Sequence, residues 1–204
     1  MICKGCGRAE SCGYCYPYVE LPGDFSADAW VTSDHHWGHK NIARLQHRPE
    51  TNFSLMLRRW ERVVTPEDIV LHLGDLVVYA GPDCLLEGGW LETLPGRKFL
   101  LRGNHDRQSD AWYRAAGFEV LGRKPILWTD PETGLVVCFS HEPAHQDGRW
   151  TVNVHGHVHS NRPASYVDRA LRANVSVEVR DYAPVRLRDV LAIGPDVRYD
   201  NQEF

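Results

Sequence analysis

Five times in this chain a short apolar run ends in a cluster of aspartate, asparagine or histidine. Ala29 to Thr32 leads into Ser33-Asp34-His35-His36-Trp37-Gly38-His39. Ile69-Val70-Leu71-His72-Leu73 leads into Gly74-Asp75, and Lys98 to Leu101 into Gly103-Asn104-His105-Asp106. Leu135 to Phe139 precedes Ser140-His141, and Thr151 to Val154 precedes Gly156-His157-Val158-His159. Each run has the length of a strand, so each cluster is expected at a strand end. Seven of the eleven histidines fall in these five places, which scattered surface histidines would not do.

The elements between the clusters set the fold class. Gly38 to Gln46 is expected as a short helix. From Thr51 to Val64, Phe53, Met56, Leu57, Trp60, Val63 and Val64 share one helical face, with Thr51 as a candidate N-cap and Pro66 as a stop. Asp83 to Leu94 is expected as a helix, although Gly88-Gly89 weakens it. Ser109 to Ala116 is expected as a helix ended by Gly117. The second half is richer in strands. Ile126 to Trp128 and Leu135 to Phe139 flank a loop at Asp130–Gly134 and predict a hairpin. Asn174 to Val179 alternates as a half-exposed strand should, and Leu187 to Ala192 predicts a closing helix. Strand–helix alternation places functional groups beyond the carboxyl ends of the strands, where the five clusters lie.

Length and composition limit the alternatives. A chain of 204 residues with 43% hydrophobic content can bury one full core. Its net charge of −4 argues against broad non-specific binding to DNA or RNA. No apolar run approaches the ~20 residues of a membrane helix, and Met1-Ile2-Cys3-Lys4 opens no secretion signal. A cytoplasmic protein with reduced thiols is expected.

Residues 1–18 carry Cys3-Lys4-Gly5-Cys6 and Cys12-Gly13-Tyr14-Cys15. Two such pairs predict a small tetrahedral knuckle holding structural zinc through Cys3, Cys6, Cys12 and Cys15. Unligated thiols, two disulfides or an iron–sulfur cluster are the other readings of the same spacing. The expected division is a knuckle at 1–18 and a main domain at 26–200.

The clusters have a chemistry in common. Asp34, His36, Asp75, Asn104, His141, His157 and His159 offer seven nitrogen or oxygen donors. That is too many for one metal and suits two, with Asp75 as the shared carboxylate. Such a pair acidifies a shared water and neutralises phosphoryl oxygens. Mixed imidazole, carboxylate and amide ligation suits manganese, iron, zinc, cobalt or nickel better than calcium or magnesium. His105 follows a candidate ligand and precedes Asp106, a carboxylate that could orient its ring. An imidazole not spent on metal can protonate a leaving alkoxide. His72 and His155 are expected as buried strand residues, with contact to the ligands from behind as the alternative reading, and His35 is expected to point away from the metals.

The series D-x-H, G-D, G-N-H-D, H and G-H-x-H resembles the signature of the calcineurin-like metallophosphoesterases. It covers residues from about 28 to 193. Thr32-Ser33-Asp34, Gly38-His39-Lys40-Asn41-Ile42, Arg48-Pro49 and the stretch from Asn174-Val175 to Tyr182-Ala183-Pro184-Val185 are similar to compact bacterial and phage-encoded members. The resemblance implies an α/β (α+β) fold: a four-layer αββα sandwich with two facing sheets and helices outside. It implies that Asp34, His36, Asp75 and His159 hold one divalent transition metal and Asp75, Asn104, His141 and His157 the other. It implies that His105 donates the proton or contacts phosphate, and that Asn104 faces the substrate. His39 reaches the phosphate or sits in solvent. Arg48 binds a second phosphate or braces a loop.

The expected activity is hydrolysis of phosphate esters by a metal-bridging hydroxide, with phosphodiesters of nucleotide type preferred. A phosphomonoesterase or a nucleotide pyrophosphatase is the alternative with the same centre. A metal-stabilised module that binds nucleic acid or protein without catalysis is the alternative from another class. It fits less well, because none of the seven donors is missing.

Overall fold

In the computed structural model, residues 21–78, 89–168 and 170–192 are described. The cysteines expected to form the knuckle, Cys3, Cys6, Cys12 and Cys15, lie outside these residues.

The first half builds a sheet. Strand β1 (Trp30–Thr32) is followed by helices α1 (Ile42–Leu45) and α2 (Asn52–Val63), then β2 (Ile69–His72). Helix α3 (Trp90–Thr93), β3 (Arg97–Leu101), α4 (Asp110–Ala115) and β4 (Phe118–Gly122) complete the run. Residues 83–88 of the long helix expected before Leu94 lie outside the described residues. Thr51 stands at the N-cap of α2 but makes no side-chain cap bond, whereas Ser109 caps α4 by accepting from the Trp112 amide. Strands β1 to β4 pair in parallel and in chain order.

The second half builds another sheet from β5 (Ile126–Thr129), β6 (Val136–Ser140), β7 (Val152–His155), β8 (Ser165–Val167) and β9 (Leu171–Asn174). Its order is β5-β6-β7-β9-β8, with β6, β7 and β9 parallel and antiparallel strands at both edges. Strand β10 (Val185–Arg186) returns to pair antiparallel with β1, and α5 (Leu187–Leu191) follows.

Alternation along the strands puts the main core between the sheets. Val31, Leu71, Phe99 and Leu101 of the first sheet meet Val137, Phe139, Val152 and Val154 of the second. The intervening residues face outward. Val70 and Leu100 pack under Met56 and Trp60 of α2, Leu91 of α3 and Tyr113 of α4. Every residue of β2 is therefore buried, as a central parallel strand covered on both faces requires. On the outer side of the second sheet Cys138 packs with Ala144, Trp150 and Ala170. No described helix is long and apolar enough to cross a membrane.

One expected strand is corrected. Asn174 closes β9, and Val177–Val179 forms a 3-10 turn instead of an extended segment. Val175 and Val177 are both fully buried, so their alternation records two different buried positions and not one half-exposed face.

Candidate metal centre

The parallel strands of the two sheets end at the same side. β1, β2 and β3 deliver Asp34, Asp75 and Asn104 from one sheet, and β6 and β7 deliver His141 and His157 from the other. Polar links join the two sheets there. His141 Nδ1 lies 2.8 Å from the Leu73 carbonyl, Val177 N donates to the Ser33 carbonyl, and His157 N donates to Asp34 Oδ2 across 2.8 Å.

Each of the two carboxylates divides its oxygens. Asp34 Oδ2 accepts from His157 N and from Ser176 Oγ at 2.9 Å. Asp34 Oδ1 is buried with no hydrogen-bond partner, and lies 3.9 Å from His36 Nε2 and 4.0 Å from His159 Nε2. Asp75 Oδ1 accepts from His105 N at 2.8 Å, while Oδ2 lies 3.3 Å from His36 Nε2 and 3.4 Å from His141 Nε2. One oxygen of each acid is thus fixed by the protein and the other faces imidazole nitrogens.

Backbone geometry aims these groups. Asp34, His36, Asp75, His157 and His159 all adopt positive φ, between 49° and 70°. Such angles are uncommon for residues other than glycine and concentrate where surrounding structure enforces them. The close approach also demands glycine beside the donors. A Cβ on Gly156 would collide with Ser33 Oγ and Asp34 Oδ2, and one on Gly74 with the Gly103 backbone and the His141 ring.

Two groups of potential ligands result: Asp34, His36 and His159, and Asp34, Asp75 and His141, with donor atoms in each group within 4.8 Å of one another. Asp34 is common to both groups, while Asp75 Oδ2 touches one imidazole from each. Asn104 Oδ1 joins the second, 2.9 Å from His141 Nε2 and 3.1 Å from His157 Nδ1.

Burial and mutual charge set the protonation of these donors. Burial raises Asp34, a cost that the nearby His141 and His159 only partly relieve. Burial drives His36 well below the ordinary histidine range, so its two ring nitrogens, both buried and unpartnered, belong to a neutral ring. Burial would lower His141, but hydrogen bonding to Asp75 and the charge of Asp34 outweigh it and lift it to about 9. Burial would likewise raise Asp75; the hydrogen bond and charge of His141, with His36, hold it well below the carboxylate range. Orphaned oxygen and nitrogen atoms of these kinds fit divalent transition metals.

The family model for calcineurin-like phosphoesterases matches residues 28–191. This chain belongs to the calcineurin-like phosphoesterase family. That family acts on phosphate esters and typically binds two divalent metals. The chain is 33% identical over 165 residues to the uncharacterized protein MJ1445 of Methanocaldococcus jannaschii, a match covering 78% of this chain and 86% of that protein. It is 40% identical over 83 residues to the gene 66 protein of Mycobacterium phage D29, covering 40% of this chain and 41% of the phage protein. The crystal structure of AQ665 from Aquifex aeolicus, a protein of unknown function, has a similar fold, with a TM-score of 0.62 and 24% identity over 79% of this chain and 96% of that one.

Around the centre of this calcineurin-like phosphoesterase, the other expected residues divide. The His105 ring stands 5.2 Å from the His36 ring and is half-buried, and Asn104 is exposed. The partly exposed His39 ring is 6.0 Å from His36, its Nδ1 accepting from Asn41 N, and burial lowers it. Of the two readings of Arg48, a contact to a second phosphate or a loop brace, its fully buried side chain fits the second. It donates to the carbonyls of Asp34 at 2.6 Å and His35 at 2.8 Å and to Glu178, so it braces the loop and its donors are turned away from the open side. Asp106 is corrected as well. It does not orient the His105 ring: its oxygens accept from the amides of Gly103, Asp75 and Leu76 and from Tyr113 Oη. His35 and His72 are buried in a mutual bond, Nδ1 to Nε2, of 2.8 Å, and His155 bonds Tyr166 Oη at 3.0 Å.

Sequence reading missed Ser33, Ser176 and Glu178. Glu178 looked like the solvent side of an alternating strand. Its signal was a lone acid between valines, of which Val177 is fully buried and Val179 partly so.

Proposed function

We propose that this chain is a two-metal phosphoesterase that hydrolyses phosphodiesters, with nucleotide-type esters as its substrates. The observation that carries the reading is Asp34 Oδ1, buried, without a partner and set between the Nε2 atoms of His36 and His159. A carboxylate oxygen in that setting is costly unless a cation joins it.

Asp34, His36, Asp75 and His159 would hold one divalent ion, and Asp75, Asn104, His141 and His157 the other, drawn from manganese, iron, zinc, cobalt or nickel. When bound, such a pair supplies positive charge that acidifies water and stabilises the phosphoryl oxygens. The protein's own part is to hold the donors without rearrangement. The amide of His105 fixes one Asp75 oxygen, and the amide of His157 and the hydroxyl of Ser176 fix one Asp34 oxygen. His105, half-exposed beside His36, is in position to give a proton to the departing ester oxygen. His39 and Asn104, on the exposed side, contact the phosphate group. Asn104 is exposed, so this side of the site is open and a second ester substituent meets no wall there.

The test is hydrolysis of bis-p-nitrophenyl phosphate against p-nitrophenyl phosphate after metal stripping and reloading with manganese. Manganese-dependent turnover of the diester, lost in Asp75→Asn, is expected. Metal-independent turnover, or no turnover by a protein shown to bind two metal equivalents, refutes the proposal.

A further inference from the structure

We infer that Glu178, together with Arg48, is a positioning pair that fixes the tautomer of His159 and ties the last histidine motif to the first aspartate motif. Neither residue faces a substrate. Glu178 is 3% exposed in its side chain and Arg48 is 0% exposed, so no ligand from solvent reaches the pair.

The contacts of Glu178 converge on one oxygen. Oε1 lies 2.8 Å from His159 Nδ1, and it accepts from Arg48 Nε at 2.8 Å and from Arg48 Nη2. A carboxylate offers no proton to an imidazole, so His159 must carry its own proton on Nδ1. The nitrogen left without a proton is Nε2, the atom facing Asp34 Oδ1. A second carboxylate therefore decides which nitrogen of His159 can donate a lone pair.

Arg48 completes the coupling. The same guanidinium that meets Glu178 donates through Nη2 to the Asp34 carbonyl and through Nη1 to the His35 carbonyl. Those carbonyls belong to the segment in which Asp34 and His36 hold positive φ. The pair thus spans three parts of the chain: the loop after β1, the turn carrying His159 and the 3-10 turn carrying Glu178. Arg48 also neutralises Glu178, so the acid orients His159 without adding an unbalanced charge beside Asp34. His141 is handled by a different device, since its Nδ1 meets the Leu73 carbonyl. Loss of Glu178 should consequently weaken one side of the centre and leave the other.

This inference rests on the two-metal reading for its affinity arm, and the tautomer arm is independent of it. The metal-free protein is examined by long-range proton–nitrogen NMR at alkaline pH, where the His159 ring is neutral, in the wild type, Glu178→Ala and Glu178→Gln. Manganese binding to each is then followed by equilibrium dialysis. Expected are the Nδ1–H tautomer in the wild type and in Glu178→Gln, which keeps an acceptor oxygen, and a mixed tautomer in Glu178→Ala. One of two manganese equivalents should bind about 10- to 100-fold more weakly in Glu178→Ala, with Glu178→Gln within about threefold of wild type. A wild-type His159 protonated on Nε2 overturns the inference without any variant. So does a folded Glu178→Ala that keeps the tautomer, or that binds both equivalents as the wild type does. A wild type that binds no manganese yet shows the Nδ1–H tautomer, lost in Glu178→Ala, sinks the metal reading and leaves the positioning role in place.

Discussion

The backbone amide of Asp75 donates to Asp106 Oδ2 across 2.7 Å. Through this bond a buried acid next to His105 in sequence controls the turn that aims another acid at the centre. Asp106 also collects the amides of Gly103 and Leu76 and the Tyr113 hydroxyl, while burial raises its pKa. Replacing it with asparagine puts an amide group against donors that need an acceptor. Asp106→Asn should lose about 1–3 kcal/mol of stability, measured by urea unfolding of the metal-free protein. Unchanged stability would show that the turn holds itself.

Asp34 sets stability against function. Burial raises its carboxyl group, so its charged form opposes folding at neutral pH when no cation is present. In Asp34→Asn, one oxygen can still accept from His157 N and Ser176 Oγ, and the new amide group can donate toward His36 and His159. The metal-free variant should melt several degrees above the metal-free wild type, and added manganese should stabilise the wild type alone. Calorimetry with and without chelator reads both, and a variant that melts lower without metal contradicts the account.

The buried pair His35 and His72 makes stability depend on acid. The Gly74 amide donates to His72 Nδ1, so the His72 proton sits on Nε2 and points at His35 Nδ1. Burial pushes His72 down to about 3. Between that value and the ordinary 6.5, the unfolded chain binds a proton that the folded chain refuses. Stability from this residue is full above pH 6.5 and falls as pH drops. The expected loss is about 2 kcal/mol between pH 7.5 and 5. Urea midpoints of the metal-free wild type and His72→Gln should converge over that range; parallel curves would show that His72 takes up its proton without unfolding.

Gly156 tests how tightly the sheets close on each other. An added methyl group meets Ser33 Oγ and Cβ and Asp34 Oδ2, short buried side chains already held by hydrogen bonds to Gly74, His157 and Ser176. Gly156→Ala should therefore reduce manganese binding at least tenfold even where circular dichroism shows the fold retained. Wild-type binding by the alanine variant would mean that the strand ends separate easily.

The sequence made some of this legible for a simple reason. Ile69 to Leu73 reads as a strand because a segment covered on both faces is apolar throughout, and Asp75 is conspicuous because it ends that run. The same logic marked Asp34, His141, His157 and His159. Arg48, Asp106 and Glu178 obey no such rule. Their roles depend on where a turn sends a side chain, and neighbours in sequence mislead: Asp106 adjoins His105 yet serves the amides across the loop. Glu178 was hidden by a 3-10 turn, which rotates an apparently outward acid into the interior. Strands β4, β8, β9 and β10 do not stand out in the sequence because each mixes polar with apolar residues or is very short, and the edge strands β4, β8 and β10 take their pairing from one neighbour.

Donors drawn from both sheets give biosynthesis a fixed order. A ribosome-held chain that has just released Asn104 already exposes Asp34, His36, Asp75 and Asn104, yet lacks every imidazole that the later strands bring. On the proposed two-metal reading, the full donor set would form only once His159 has emerged and the second sheet has packed on the first. A product truncated before His141 would therefore keep the early donors and lose the imidazoles of the second sheet.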